Sequence, residues 1–352
     1  MALLLFVGAC GNGGTPFEPG AEVRAERVVA TPAPTSRAEV AVVLPSSDPT
    51  TRPSAATRVP ELRLDIASTP LPRTPSPAPR AASAPVAAGV GVSAFAGLGS
   101  WIDVFDYDDG EHPLGPLVRS MAKRGVRTLY LETSRFTAAE DIQFPRSVGA
   151  ALDEAKANGM RVIAWYPPGL KDVDREVRRS LAAIRFRSPS GNTFDGFGAD
   201  IEYTEAVPDH ATRNKRAIEY SQKLRKAVGA AYPMSAIVIP PVTLERDPQR
   251  WPNFPWKELA KSYQLFMPMN YWTAYAADPA TAKDLTKRNI EKTRQLTGKP
   301  VHIIGGLGAD AGPSQVAAYV TACRDAGSIG GGLYDFTTTR SDVWTELTKL
   351  NR

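Results

Sequence analysis

No stretch of this 352-residue chain is apolar for 18 residues in a row, so no segment is long and apolar enough to span a bilayer. Lysine is missing until Lys123, and the formal net charge of +5 is spread without a basic run, so there is no nucleic-acid footprint and no such partner is expected. The three histidines, His112, His210 and His302, show no paired-ligand spacing, which leaves no zinc signature. A Gly-x-Ser-x-Gly elbow and a phosphate loop are also missing, which sets aside esterase and nucleotide chemistry. There are only two cysteines. Cys323 lies in an Ala-rich helical pattern and reads as a small core residue rather than a nucleophile.

What is present divides unevenly. Residues 1–88 hold 14 of the 31 prolines and almost no aromatic residues, too little apolar surface to offset the entropy of ordering a core. The expected organisation is a signal segment over 1–10, a disordered Pro/Ala-rich stalk over 11–88, and a single large domain over 89–352. The signal ends Val7-Gly8-Ala9-Cys10, which resembles the lipobox of bacterial lipoproteins. That resemblance implies lipidation at Cys10, removal of the residues before it, and a protein held at the outer face of the bacterial membrane in the cell envelope by its acyl chains.

From Gly89 onward, runs rich in β-branched and aromatic residues recur about every 30 residues, each followed by a segment of helical period. The strand candidates are Ser100–Phe105, Val126–Glu132, Arg161–Tyr166, Gly196–Tyr203, Ser235–Ile239, Leu265–Tyr271, Val301–Gly305 and Gly331–Phe336. Eight strand–helix units in a domain of this length predict an α/β fold of the (β/α)8 TIM-barrel type. A doubly wound sheet is the competitor, but no Gly-x-Gly-x-x-Gly follows the first strand.

Barrels of this kind place their chemistry at the carboxyl ends of the strands. Those ends carry Trp101, Asp103 and Asp106 on the first strand, Glu132 on the second and Trp165 on the third. The sixth ends in Asn270, Tyr271 and Trp272, and the eighth in Tyr334 and Asp335. Acids interleaved with Trp and Tyr describe a sugar-binding cleft, since aromatic rings stack on pyranose faces while carboxylates bond hydroxyls. A glycan of the cell wall or the environment, peptidoglycan included, is therefore the expected partner of a monomeric protein. Asp103, Asp106, Glu132 and Asp200 could hold a divalent cation, but without paired histidines no metal or other cofactor is expected.

The fourth strand, Asp195-Gly196-Phe197-Gly198-Ala199-Asp200-Ile201-Glu202, is the most informative. Alternation points Gly198, Asp200 and Glu202 into the barrel and Phe197, Ala199 and Ile201 toward the helices. Carboxylates at i and i+2 lie about 6–7 Å apart, close enough for the charge of one to keep the other protonated near neutral pH. That is the state a general acid for glycosidic cleavage requires. Asp195, before the strand, reads as a structural ion-pair acid. Two acids on one strand approach a sugar from one side and cannot flank the bond as acid and nucleophile. The nucleophile must then come from the substrate or from another strand, with Glu132, Asp103 and Asp335 as candidates.

This strand resembles the Asp-Gly-x-Asp-x-Asp-x-Glu signature of family 18 glycoside hydrolases, and Met269-Asn270-Tyr271 resembles their sixth-strand Met-x-Tyr. The resemblance implies Glu202 as general acid/base, Asp200 as the group that orients a 2-acetamido substituent, and Tyr271 as its hydrogen-bond partner. Gly198 stands where the family has its first inner Asp, and Trp272 where an Asp usually follows Met-x-Tyr. The rival expectation is a carbohydrate-binding barrel without turnover, which Gly198 favours.

Overall fold

A computed structural model of the chain describes residues 91–107, 114–274 and 278–351. Cys10, the signal segment 1–10 and the stalk 11–88 lie outside the described residues, as does His112. The described chain runs β1 (Gly97–Ile102), α1 (Leu114–Lys123), β2 (Thr128–Glu132), α2 (Pro145–Ala157), β3 (Arg161–Tyr166), α3 (Val173–Ile184), β4 (Gly196–Ile201) and α4 (His210–Val228). It continues β5 (Met234–Val238), α5 (Pro241–Arg246), α6 (Trp256–Leu259), β6 (Leu265–Pro268), α7 (Pro279–Thr297), β7 (His302–Leu307), α8 (Pro313–Asp325), β8 (Gly330–Tyr334) and α9 (Trp344–Leu347). All eight strands are parallel, in the order β6-β5-β4-β3-β2-β1-β8-β7. Parallel bridges between Phe266 and Val301 and between Met269 and Ile304 join β6 to β7. This is the expected (β/α)8 barrel.

Aspartates start the helices that follow β3, β4 and β6. Asp172, Asp209 and Asp278 each accept a hydrogen bond from the backbone N–H three residues on, at 3.1, 2.7 and 2.8 Å, and so satisfy a donor the helix leaves unpaired. Outward-facing strand residues, among them Leu129, Leu131, Val162, Ala164, Phe197, Ala199 and Ile201, join the helices in one core. Cys323 belongs to that core and is buried.

Two features of the fold depart from the expected elements. β1 begins at Gly97 rather than Ser100, although Gly97 and Gly99 are poor strand formers. A Cβ on Gly99 would stand 2.5 Å from Tyr130 and 3.2 Å from His302, so interior crowding calls for glycine there. The last helical stretch is broken: 3-10 turns at Ser341–Val343 and Thr348–Leu350 flank a four-residue α9.

The barrel interior is aromatic. Trp101 stacks on Tyr130 with ring centroids 4.5 Å apart, and the His302 ring meets Trp101 edge-on at 6.0 Å. His302 Nδ1 lies 2.8 Å from the Phe95 carbonyl, while Nε2 has no partner. Burial pushes the imidazole down to about 4 from its ordinary 6.5. Unfolding releases it to the ordinary value, so between those two pH values the unfolded chain binds a proton that the native one refuses, and stability falls as pH drops. In urea unfolding this group should cost the wild type about 2–3 kcal/mol between pH 7 and pH 4.5 relative to His302→Gln. The two proteins should therefore differ in the slope of stability against pH over that window; equal slopes would mean that the imidazole is protonated in the native barrel as readily as in the unfolded chain.

Candidate active site

β4 delivers its acids as its alternation predicts, Asp200 from within the strand and Glu202 one residue beyond its end. Asp200 is 6% exposed, and its Oδ1 is buried with no hydrogen-bond partner. Its carboxyl is held well above the usual range, first by burial and then by the charges of Glu202 and Glu132, with Arg135 opposing. Glu202 is pushed up to about 7, again first by burial; Glu205 adds to the rise, and Arg250 and Arg135 oppose it. Burial is therefore the leading cause of both shifts, ahead of the mutual charge effect that the i, i+2 spacing suggested. Asp195 is structural: Lys156 Nζ reaches both carboxylate oxygens at 2.6 Å, and Val162 N–H donates to Oδ2 at 2.6 Å.

Three further inward groups converge here. Trp165 comes from β3 beside Gly198, and its indole Nε1 is buried without a partner. Tyr271, buried, lies close enough to Glu202 and Asp200 for their charges to raise its phenol. Glu132 ends β2, where Val104 N–H donates to Oε2 at 2.9 Å and Arg135 Nε lies 3.6 Å from Oε1. Burial, with the charges of Asp103 and Glu202, pushes Glu132 up to about 8 against the pull of Arg135 and the Val104 N–H.

The acids of β1 and β8 form a separate corner. Asp103, Asp106 and Asp335 bring carboxylate oxygens within 4.8 Å of one another, so the structure groups Asp335, rather than Glu132 and Asp200, with the first-strand acids. Asp103 accepts from Phe105 N–H at 2.9 Å and from the Tyr334 hydroxyl at 2.9 Å. Thr337 Oγ1 bonds both Asp106 (3.0 Å) and Asp335 (2.7 Å). Burial and the neighbouring charges of Asp103 and Asp335 push Asp106 up to about 8. With these oxygens occupied within the chain, the corner ties the β1 loop to the β8 loop.

Three expected cleft residues are not in the cleft. Asn270 turns outward: its Nδ2 donates to Thr286 Oγ1 at 2.8 Å, and its Oδ1 accepts from Asn289 Nδ2 at 2.7 Å, anchoring α7. Trp272 is fully buried in the outer core, 6.3 Å from the Tyr319 ring of α8. Asn270 and Trp272 both lie past the end of β6 at Pro268, and Trp272 opens the 3-10 turn Trp272–Ala274 that turns the chain toward α7. Trp101 is 1% exposed and lies inside the barrel against Tyr130, so it offers no face to a sugar.

The structure also adds Arg135 and Tyr203, which the strand-end reading passed over. Arg135 donates to the Tyr203 hydroxyl at 3.0 Å. The signal was present, because Arg135 lies just past the carboxyl end of β2, where any polar residue needs explaining. Gly198 also finds its reason: a Cβ there would meet Ile237 Cδ1 at 3.2 Å and Ser235 Oγ at 3.3 Å. Those side chains would have to give by a few tenths of an ångström to admit the Cβ of the family 18 aspartate.

No family model matches the chain, and no curated protein matches it. Solved structures do. An endo-1,4-beta-D-mannanase from Thermotoga petrophila superposes with a TM-score of 0.52 at 12% identity, over 68% of this chain and 88% of that one. The spore cortex-lytic enzyme of Bacillus cereus gives 0.52 at 8% identity, over 72% and 74%. A chitinase from Chromobacterium violaceum gives 0.51 at 12% identity, over 73% and 99%. At such identities the likeness is one of fold, and function has to be argued from the site; the chain has the (β/α)8 barrel architecture that these glycan-degrading enzymes share.

Proposed function

We propose that this protein is a glycoside hydrolase acting on a cell-wall or environmental polysaccharide, with Glu202 as general acid/base. One observation carries the reading: Asp200 Oδ1 and Trp165 Nε1 are buried without a partner, and the half-buried Glu202 and the buried Tyr271 form no side-chain hydrogen bond to another described residue. Buried polar groups are normally paired within the chain, so a convergent set left unpaired is suited to a polar ligand. The corner acids show the contrast, each being bonded internally.

In the proposed reaction Glu202 gives its proton to the leaving glycosidic oxygen as the bond to the anomeric carbon breaks. Glu132 is engaged by the Val104 N–H and paired with Arg135, and Asp103 is bonded to Phe105 and Tyr334. This favours a nucleophile supplied by the substrate. The acetamido oxygen of an N-acetylated sugar attacks the anomeric carbon, oriented by Asp200 and Tyr271, and Glu202 then removes a proton from the water that opens the intermediate. A peptidoglycan-type glycan carries the required group, and anchorage through Cys10 would hold the barrel at the envelope.

The test is hydrolysis of a polysaccharide panel by the full chain, including peptidoglycan, chitin-type oligosaccharides and mannan. Since the acid must be protonated and its group titrates at about 7, kcat should hold below that pH and fall about tenfold per unit above it. Binding without hydrolysis of any member would point instead to a carbohydrate-binding barrel.

A further inference from the structure

We infer that Arg135 is a positioning residue of this site: it ties the β2 loop to the end of β4 and holds a positive charge beside the residue that follows Glu202. The inference deepens the proposed function and rests on Glu202 being the acid.

Arg135 belongs to no motif of the sequence, yet the loop that carries it is built with care. Arg179, buried on α3, donates to the carbonyls of Arg135 and Ala138, and Arg175 donates to the Ala138 carbonyl at 2.7 Å. Gln143 N–H closes the loop on the Thr133 carbonyl at 2.9 Å. The Arg135 side chain is 18% exposed. Its guanidinium lies over the Phe105 ring at 4.6 Å, bonds the Tyr203 hydroxyl at 3.0 Å and stands 3.6 Å from Glu132. Phe136 packs edge-on against Tyr203 at 4.7 Å. Tyr203 follows Glu202 directly in the chain, so the end of β4 is held from β2 by a charge-assisted hydrogen bond and a ring contact.

The groups that face Glu202 come from several elements. Asp200 shares its strand, Glu132 comes from β2, Glu205 from the loop after β4, Tyr271 from the end of β6, and Arg250 from between α5 and α6. Arg250, and after it Arg135, are the cations that oppose the rise at Glu202. Of these two, Arg135 is the one fixed by a guanidinium hydrogen bond to a neighbour of Glu202.

The experiment is a 13C-carboxyl NMR titration of the full-length chain, with the Glu202 resonance assigned by its loss in Glu202→Gln. In Arg135→Gln the Glu202 midpoint should rise by roughly half to one pH unit, and Arg135→Lys should return most of that shift. Removing one member of a buried ion pair can unfold a protein, whereas removing both is often tolerated. The Glu132→Gln/Arg135→Gln double variant, compared with Glu132→Gln alone, therefore repeats the measurement without an uncompensated carboxyl, and the same upward shift is expected. A Glu202 midpoint that moves in neither comparison overturns the inference. This readout needs no turnover, so a wild-type chain that cleaves no glycan would refute the proposed hydrolase while leaving the role of Arg135 separately decided. In an active protein the alkaline limb of kcat should move with the NMR midpoint.

Discussion

Replacing Glu202 with glutamine should lower turnover by roughly 10²–10⁴-fold, the usual contribution of a positioned general acid, while glycan binding persists. Glutamine keeps the shape and hydrogen-bonding reach of the side chain and removes only the transferable proton. The loss should be largest on substrates with poor leaving groups and smaller on activated aryl glycosides, which need less protonation to depart. A second signature follows from the raised pKa values of the cleft. Acids whose native pKa lies above the unfolded value stabilise the fold at low pH and lose that contribution as pH rises through the native value. With Glu202 titrating at about 7 and Glu132 at about 8, the wild type should lose stability between about pH 5 and 9, and Glu202→Gln should lose less. Turnover unchanged in the variant would remove Glu202 from the mechanism.

Gly332→Ala should be the most destabilising small substitution in the barrel, by roughly 4 kcal/mol or more, in the range reserved for steric conflict that a fold cannot relieve. A Cβ at Gly332 would stand 1.9 Å from the Gly99 carbonyl oxygen and 2.9 Å from its carbonyl carbon, both in the backbone of β1. These atoms cannot rotate away as a flexible side chain would. The conflict falls where β8 meets β1, a seam whose register pairs Gly97 with Gly330 and Leu98 with Gly331. A total stability of about 5–15 kcal/mol is typical of a domain, so the variant should be poorly soluble or unfold at much lower urea. Gly159→Ala is the control. Gly159 has a φ of +69° with nothing near its Cβ, so alanine there should cost only about 1 kcal/mol, from backbone conformation. Equal costs at the two positions would show that the seam tolerates a side chain.

The eight-unit alternation, the inward aim of Asp200 and Glu202, and the structural role of Asp195 were all legible in the sequence. The first two depend on a period and the third on the place of Asp195 ahead of its strand, although its partner Lys156 is 39 residues away; β3 runs over the range its pattern predicts. Asn270 and Trp272 were not legible in the same way, because β6 ends at Pro268 and the turn that follows carries both side chains away from the interior. Trp101 is a different case. It lies inside the barrel, but whether an inward tryptophan meets a ligand or another ring depends on Tyr130 and His302, which come from β2 and β7.

What the sequence determined by itself is therefore local: which segments are strands, which face each residue takes, and which strand carries the paired acids. The packing of segments distant in the chain decided the rest. It made glycine necessary at 99 and 332, where side chains or backbone from other strands fill the space. It held Arg135 against Tyr203, 68 residues away, and it buried Asp200 and Glu202 deeply enough that desolvation outweighs their mutual repulsion in setting when they ionise. Burial depends on how many atoms from the whole barrel surround a group, and no stretch of sequence contains that information.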